Sequence, residues 1–475
     1  MVRLLGNKGF LLTIVIIIIA SILRLWYLDH PDTIADENGY IDDAYRLLNN
    51  DPYISIRHHP FKHPEGSQGH PFLAQILTVG IYKVSGVSNY SSRLPYALSG
   101  ILTVVVLLLF FKGIPRRTMM LSALFLAISP FAVRFSRLVH LDAISVLWYT
   151  LLGATMWNYY LTKNRLYLIL GGVSCALAIS TKLNGIIILL FALILFILQS
   201  KQLTISPIVS YLKLNFYNIL FFILPALFVT LLLNDPGAYL DGVIHPAPVY
   251  KMTSLDFWRG ALYSLPFWAK AMFYLLSPIV LITWITSLYF LFKEKGYFKR
   301  FLLTWQAITI SFFVFHRPGL SGEHGLIPAI PPITIGVAYF ISKFNFSKLL
   351  IFLIVISALP FTFFYGIFFK PLPYRPDTYY ANRTISDTFY LDVVKKVNSL
   401  AKPNSNVYLL PQTGYPIFSL RKDLHWNYYE PEKSDLFVVS DPSLLPTNVY
   451  FSHVEFLSGF EDGETISRFV VVKAN

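Results

Sequence analysis

Cysteine is almost missing from this 475-residue chain: Cys175 stands alone in an apolar run. A disulfide within the chain is therefore excluded, and with it any small cross-linked scaffold. Charge is scarce too, at 14% of residues, and acidic residues are the scarcer sign, 26 against 39 Lys and Arg. Such a chain cannot cover its surface with charge as a soluble enzyme does. What it has instead is apolar length: 55% hydrophobic residues and a mean hydropathy of +0.54. Apolar runs long enough to cross a bilayer recur through the first three quarters, which predicts a polytopic α-helical membrane protein.

The net charge of +13 does not point to nucleic acid. Its cations gather in short loops between apolar runs, the pattern of loops retained in the cytoplasm. Arg3 and Lys8 precede the first apolar run, which continues to Trp26 through Arg24 without a small-x-small cleavage site. An uncleaved first helix is expected.

The segment at residues 70–86, "HPFLAQILTVGIYKVSG", is short of the roughly twenty residues a crossing needs. If it lies on the surface, about eleven crossings remain: 10–27, 93–111, 118–134, 143–161, 165–181, 183–199, 214–233, 268–292, 301–316, 326–342 and 349–369. "FKGIPRRT", "TKNR", "QSKQ", "FKEKGYFKR" and "SKFNFSK" then share one side with the N-terminus. The C-terminus and four polar segments face outward: residues 28–92, 134–142, 234–260 and 316–325. Residues 371–475 are more polar, with a helix-period stretch near 387–400 and the runs "NVYLL", "DLFVVS", "VYFSHVEFL" and "RFVVVK". They read as a small outer α/β domain following a membrane domain of residues 1–370.

On the outer side, "TIADENGYIDDAYRLLNNDPY" places Asp36 and Glu37 just past the first crossing. Tyr40 or Ile41, Ala44 or Tyr45, and Leu47 and Leu48 recur at helical spacing, predicting an amphipathic interfacial helix. Asp36 or Asn38 would cap it, yet a cap needs one residue and does not account for Glu37. "SRLVHLD" sets Arg137, His140 and Asp142 between two crossings; a helix cap and a headgroup-seeking arginine are the plain alternative. Lys182, Arg259, Lys270, Arg317 and His324 are cations where the charge rule disfavours them, against headgroup contact as the simpler reading. The histidines of "RHHPFKHPEGSQGHP" have no regular ligand spacing, so a polar loop is favoured over a metal site. Asn89, Asn345 and Asn382 head N-x-S/T sequons, of which Asn345 would face the cytoplasm.

"ADENGYIDDAYRLL", "HPFL", "SSRLPYALSG", "FSRLVHLDAISV", "ALAISTKLNGIII" and "EHGLIPAIPPITIG", in that order, resemble motifs of the GT-C glycosyltransferases. The likeness is to protein O-mannosyltransferases and the lipid A aminoarabinose transferase, with His324 and Gly325 standing where arginine and tyrosine are usual. The resemblance implies inverting transfer of a sugar, mannose or a similar hexose or pentose, from a polyprenyl- or dolichyl-phosphate carrier. The acceptor would be a hydroxyl of a protein, glycan or lipid outside a cell (plasma) membrane. A phosphate leaves without a proton donor, so one carboxylate base suffices. Asp36 is assigned that base, with Glu37 and Asp142 orienting hydroxyls. Lys182, Arg137, Arg317 and His324 are assigned to the carrier phosphate; Tyr40, His140 and His70 to acceptor or sugar. Cofactors are not required, a divalent cation staying an open alternative, and no nucleic-acid partner is expected. A lipid-linked sugar flippase or a non-catalytic membrane subunit is the rival reading; transporters tend to carry mid-membrane charges in matching halves, and neither is seen here.

Overall fold

The computed structural model describes residues 7–29, 35–49, 73–182, 187–197, 215–233, 268–274, 276–316, 323–344, 347–368, 383–409, 423–427, 434–439, 451–461 and 464–473, with single residues 213, 266 and 445. Backbone proximity divides the chain into two units. One holds residues 1–27, 70–74 and 94–369; the other holds 28–69, 75–93 and 370–475.

The first unit is helical: α1 (Asn7–Leu25), most of α4 (Asn89–Leu109), α5 (Arg116–Ala127), α6 (Pro130–Ser136), α7 (Leu141–Thr162), α8 (Leu166–Thr181), α9 (Ile187–Ile197), α10 (Phe216–Leu233), α11 (Pro278–Lys293), α12 (Tyr297–His316), α13 (Ile330–Ser342) and α14 (Ser347–Phe361). Of the others, α2 (Ala35–Leu48) and α15 (Arg383–Leu400) belong to the second unit, as does nearly all of α3 (Leu73–Ser85).

Each stretch expected to cross contains a helix or a bent pair of helices. Among the described residues, three of these, Asn89–Leu109, Phe216–Leu233 and Ser347–Ile367, are by themselves long and apolar enough to span a bilayer, or up to five if each bent pair is one span. That is fewer than the eleven expected. Part of the gap is length, since Gly9–Leu25, Leu166–Thr181, Ile188–Ile197 and Leu326–Ser342 are apolar but shorter than a span. Helix α7 is long enough but carries Asp142, Ser145, Thr150, Thr155 and Asn158, all buried inside the unit. A helix surrounded by other helices needs no apolar surface, whereas α10, whose apolar window is only 11% buried, is apolar nearly throughout. As for α3, its 13 residues reach about 20 Å, short of the ~30 Å hydrocarbon core.

Proline and serine shape the bend that prepares the site. Pro130 starts α6 where a missing N–H costs nothing, and Ser129 caps it by accepting from the Ala132 N–H. The result is a 58° break between α5 and α6. A π-helical turn, Thr362–Ile367, follows α14 and packs on α6, with Thr362 Oγ1 donating to the Ile128 carbonyl at 2.6 Å.

In the second unit, five strands order as β2-β1-β3-β5-β4: β1 (Asn406–Leu409), β2 (His425–Asn427), β3 (Leu436–Val439), β4 (Phe451–Glu461) and β5 (Glu464–Lys473). β1 runs parallel to β2 and β3, while β5 is antiparallel to β3 and β4. Alternation sorts the faces. Val407, Leu409, Leu436 and Val438 meet Val393, Val394 and Val397 of α15, and Tyr408, Phe437 and Val439 turn to the other side.

Candidate active site

A tight turn at residues 163–165 joins α7 to α8, with Asn164 Oδ1 accepting from the Leu166 N–H. The two helices pack together, so the start of α7 and the end of α8 meet at the far end of the hairpin. There His140 is the extended N-cap of α7, Asp142 lies in its first turn, and Lys182 is the C-cap of α8. Lys182 Nζ donates to Asp142 Oδ2 at 2.7 Å, and His140 Nδ1 lies 3.1 Å from the same oxygen. All three side chains are buried. Each charge occupies the helix end that favours it, the anion at an N-terminus and the cation at a C-terminus. Phe135 sets its ring edge-on to His140 at 5.6 Å, fixing the imidazole from another side. This is what the site offers chemically: a shaped carboxylate, an imidazole and an ammonium whose three N–H donors exceed what one carboxylate oxygen uses.

Arg137 has a different occupation from the one its sequence context suggested. Its Nη1 donates to the carbonyls of Leu23, Arg24 and Trp26 (3.3, 3.3 and 2.6 Å), and Nη2 to that of Tyr27 at 2.7 Å. These carbonyls end α1, where no helical N–H remains to pair with them. The geometry makes Arg137 a cap of α1. Arg24 does the same for α5, donating to the carbonyls of Leu126 and Ala127 at 3.2 and 3.0 Å. Gly100 makes that possible, since a Cβ there would sit 2.7 Å from Arg24 Nε.

In the second unit, Glu37 is gripped by Arg93 from the second turn of α4. Nε to Oε1 is 3.0 Å and Nη2 to Oε2 is 2.8 Å, a two-pronged pair with both partners buried. Arg93 Nη1 also donates to the Leu28 carbonyl at 3.0 Å. One guanidinium thus holds the chain just after α1 and again at the start of α2. Glu37, expected to orient hydroxyls, is engaged by this clamp. Asp42 and Arg46 pair at 3.0 Å, and both are buried with Asp43 and Tyr40. The expected interfacial helix therefore has charges on its buried side, because they find partners there. Tyr82 Oη and Ser92 Oγ, 2.6 Å apart, tie α3 to α4; burial pushes the Tyr82 phenol up.

Asp36 lies in the first turn of α2, and His324 in a 3₁₀ segment, Glu323–Ala329, packed on α7 and α12; the side chains of both fall outside the described atoms. His70 and Arg317 lie outside the described residues, as do residues 183–186, the histidine-rich loop, Asn345 and Asn382 by position. So the structure brings together His140, Asp142 and Lys182, and sets Arg137 and Glu37 to other partners. Arg93 was not singled out by sequence reasoning. Its only signal was a lone arginine in "SSRLPYALSG", where an acid two helices away had no assigned partner. Among the described residues no group of three or more His, Cys, Asp or Glu could hold a metal ion.

Residues 69–235 match the family model of dolichyl-phosphate-mannose-protein mannosyltransferase. Among solved structures, the chain is similar to ArnT from Cupriavidus metallidurans bound to undecaprenyl phosphate, with a TM-score of 0.62 and 14% identity over 98% of each chain. It is also similar to the archaeal oligosaccharyltransferase AglB from Archaeoglobus fulgidus, in complex with an inhibitory peptide and a dolichol-phosphate. That TM-score is 0.55, at 12% identity over 91% of this chain and 69% of the other. No curated protein sequence matches the chain. At such identities the structural likeness is one of fold. The chain shares the fold of these structures, and its residues 69–235 resemble the mannosyltransferase family.

Proposed function

We propose that this chain transfers a sugar, with inversion, from a polyprenyl-phosphate carrier to a hydroxyl on the non-cytoplasmic side of a multi-pass membrane domain. The observation that carries the reading is the buried His140–Asp142–Lys182 group at one end of the α7–α8 hairpin. The basic turn at residues 163–165 lies at the opposite end of the same hairpin, which supports a working face away from the retained loops. In this reading Asp36 takes the acceptor proton, and Lys182 meets the developing charge on the departing phosphate. Asp142 and His140 orient hydroxyls, with Tyr40 as a further contact; Arg317, His324 and His70 keep their assigned roles. ArnT was solved with undecaprenyl phosphate and AglB with a dolichol-phosphate, which supports a carrier of this chemistry.

The test uses the full chain in reconstituted membranes with labelled polyprenyl-phosphate mannose and a pool of hydroxyl acceptors. Wild type should transfer label and Asp36→Asn should lose transfer by about 10²-fold or more. Transfer retained by Asp36→Asn would sink the base assignment. Movement of the intact carrier-linked sugar without release would favour a flippase.

A further inference from the structure

At the end of the first unit remote from His140 and Asp142, three cations gather around the α7–α8 turn. Lys112 Nζ stands 5.2 Å from the Tyr167 ring centre, Lys163 Nζ 5.0 Å from that of Tyr160, and the Arg165 guanidinium 5.0 Å from that of Phe221. All three are exposed. Their backbones are held firmly. The Asn158 amide accepts from the Lys112 N–H and donates to the Phe110 carbonyl, and Trp157 Nε1 donates to the Lys112 carbonyl. Arg165 Nε donates to Asn218 Oδ1 of α10 at 3.1 Å, tying the cluster to that helix.

Lys163 is the informative residue. It closes α7 in the left-handed region, φ 56°, ψ 15°, where glycine is the unstrained choice. A lysine kept at a glycine position costs stability locally, and its charge is what glycine would lack.

From this cationic edge runs the most exposed apolar surface among the described helices, that of α10. Tyr217, Leu224 and Phe228 are 71%, 57% and 68% exposed. A patch of positive charge that passes directly into an apolar helix face is complementary to a molecule with an anionic phosphate head and long acyl chains. We propose that Lys112, Lys163 and Arg165, with the α10 face, form a binding site for an anionic phospholipid.

The probe is phosphatidylglycerol against phosphatidylcholine, bound to the delipidated full-length protein and counted by native mass spectrometry. Wild type should prefer phosphatidylglycerol by roughly ten- to a hundred-fold, and Lys112→Gln/Lys163→Gly/Arg165→Gln should lose that preference. Lys163→Gly alone should weaken it while leaving the melting temperature unchanged or raised. Equal binding of the two lipids by wild type, or an unaltered preference in the triple variant, would overturn the proposal. So would a lower melting temperature of Lys163→Gly with phosphatidylglycerol binding intact, which would make the lysine a packing residue. Polyprenyl phosphate displacing phosphatidylglycerol from the site at equal concentration would give it to the carrier instead.

Discussion

Lys182 and Asp142 meet at 2.7 Å across the open end of the α7–α8 hairpin, forty positions apart in sequence and both shielded from solvent. Removing one partner strands the other. Asp142→Asn or Lys182→Met should each cost about 3–5 kcal/mol of stability. The double variant should recover much of that loss while still failing to transfer sugar. Thermal unfolding in detergent, read beside transfer from a polyprenyl-phosphate donor, separates the two effects. Full activity in the double variant would make the pair purely structural.

The Glu37–Arg93 clamp predicts a different signature. Arg93→Lys keeps the charge but loses the two-pronged geometry, so the start of α2 should loosen around Asp36. The expected outcome is a fall in kcat of about ten-fold or more with donor KM little changed. Glu37→Arg/Arg93→Glu should refold the contact only in part, because an arginine at a helix N-terminus opposes the macrodipole. Steady-state kinetics and melting temperatures of the two variants beside wild type check this.

Gly172 lets α8 and α10 touch. A Cβ there would lie 2.2 Å from the Phe222 carbonyl oxygen, which is backbone and cannot swing aside. Gly172→Ala should push the helices apart and cost about 1–3 kcal/mol. Gly80→Ala, inside α3 where nothing lies within 4 Å, is the control and should leave the melting temperature unchanged or slightly raised, since alanine is the better helix former.

Glu294 and Lys343 form an ion pair linking the ends of α11 and α13. The hydrogen bond from Lys343 holds the Glu294 carboxyl below its ordinary value. Burial pulls Lys343 down, but its bonds to Glu294 and Tyr339 leave it raised overall. The glutamate's contribution is present above its unfolded value and fades as pH falls through the folded one. The lysine's is present below its unfolded value and fades as pH rises through the folded one. Stability from the pair should therefore be flat around neutrality and decline in acid and in strong alkali. Both partners are partly exposed, so Glu294→Gln should cost no more than about 0.5 kcal/mol near pH 7. Unfolding curves across pH, for wild type and Glu294→Gln, would show the acid limb flattened in the variant.

The helices were legible because apolar periodicity and turn residues are local. The basic loops mark ends that the structure keeps, whereas the breaks before Pro130 and Pro278 fall inside two of the expected crossings; the runs named for the C-terminal strands coincide with β1, β3, β4 and β5. β2, three residues around Trp426, left no alternating run to find. Reading α7 was harder: its buried polar side chains lower its apolarity, and whether a serine or asparagine faces lipid or a neighbouring helix is not a local property.

The same division runs through the site. By itself the sequence determined that this is an apolar, helix-built chain with cations on its connecting loops. It determined too that Asp36, Glu37, Asp142 and Lys182 are charges set at the mouths of such helices, because desolvation makes a charge in those places costly without a purpose. Only the tertiary structure decided which charge each one meets. Asp142 takes Lys182, Glu37 takes Arg93, and Arg137 is spent on the end of α1. Pairing depends on distances between residues tens to a hundred positions apart, which helix packing sets and no local pattern encodes.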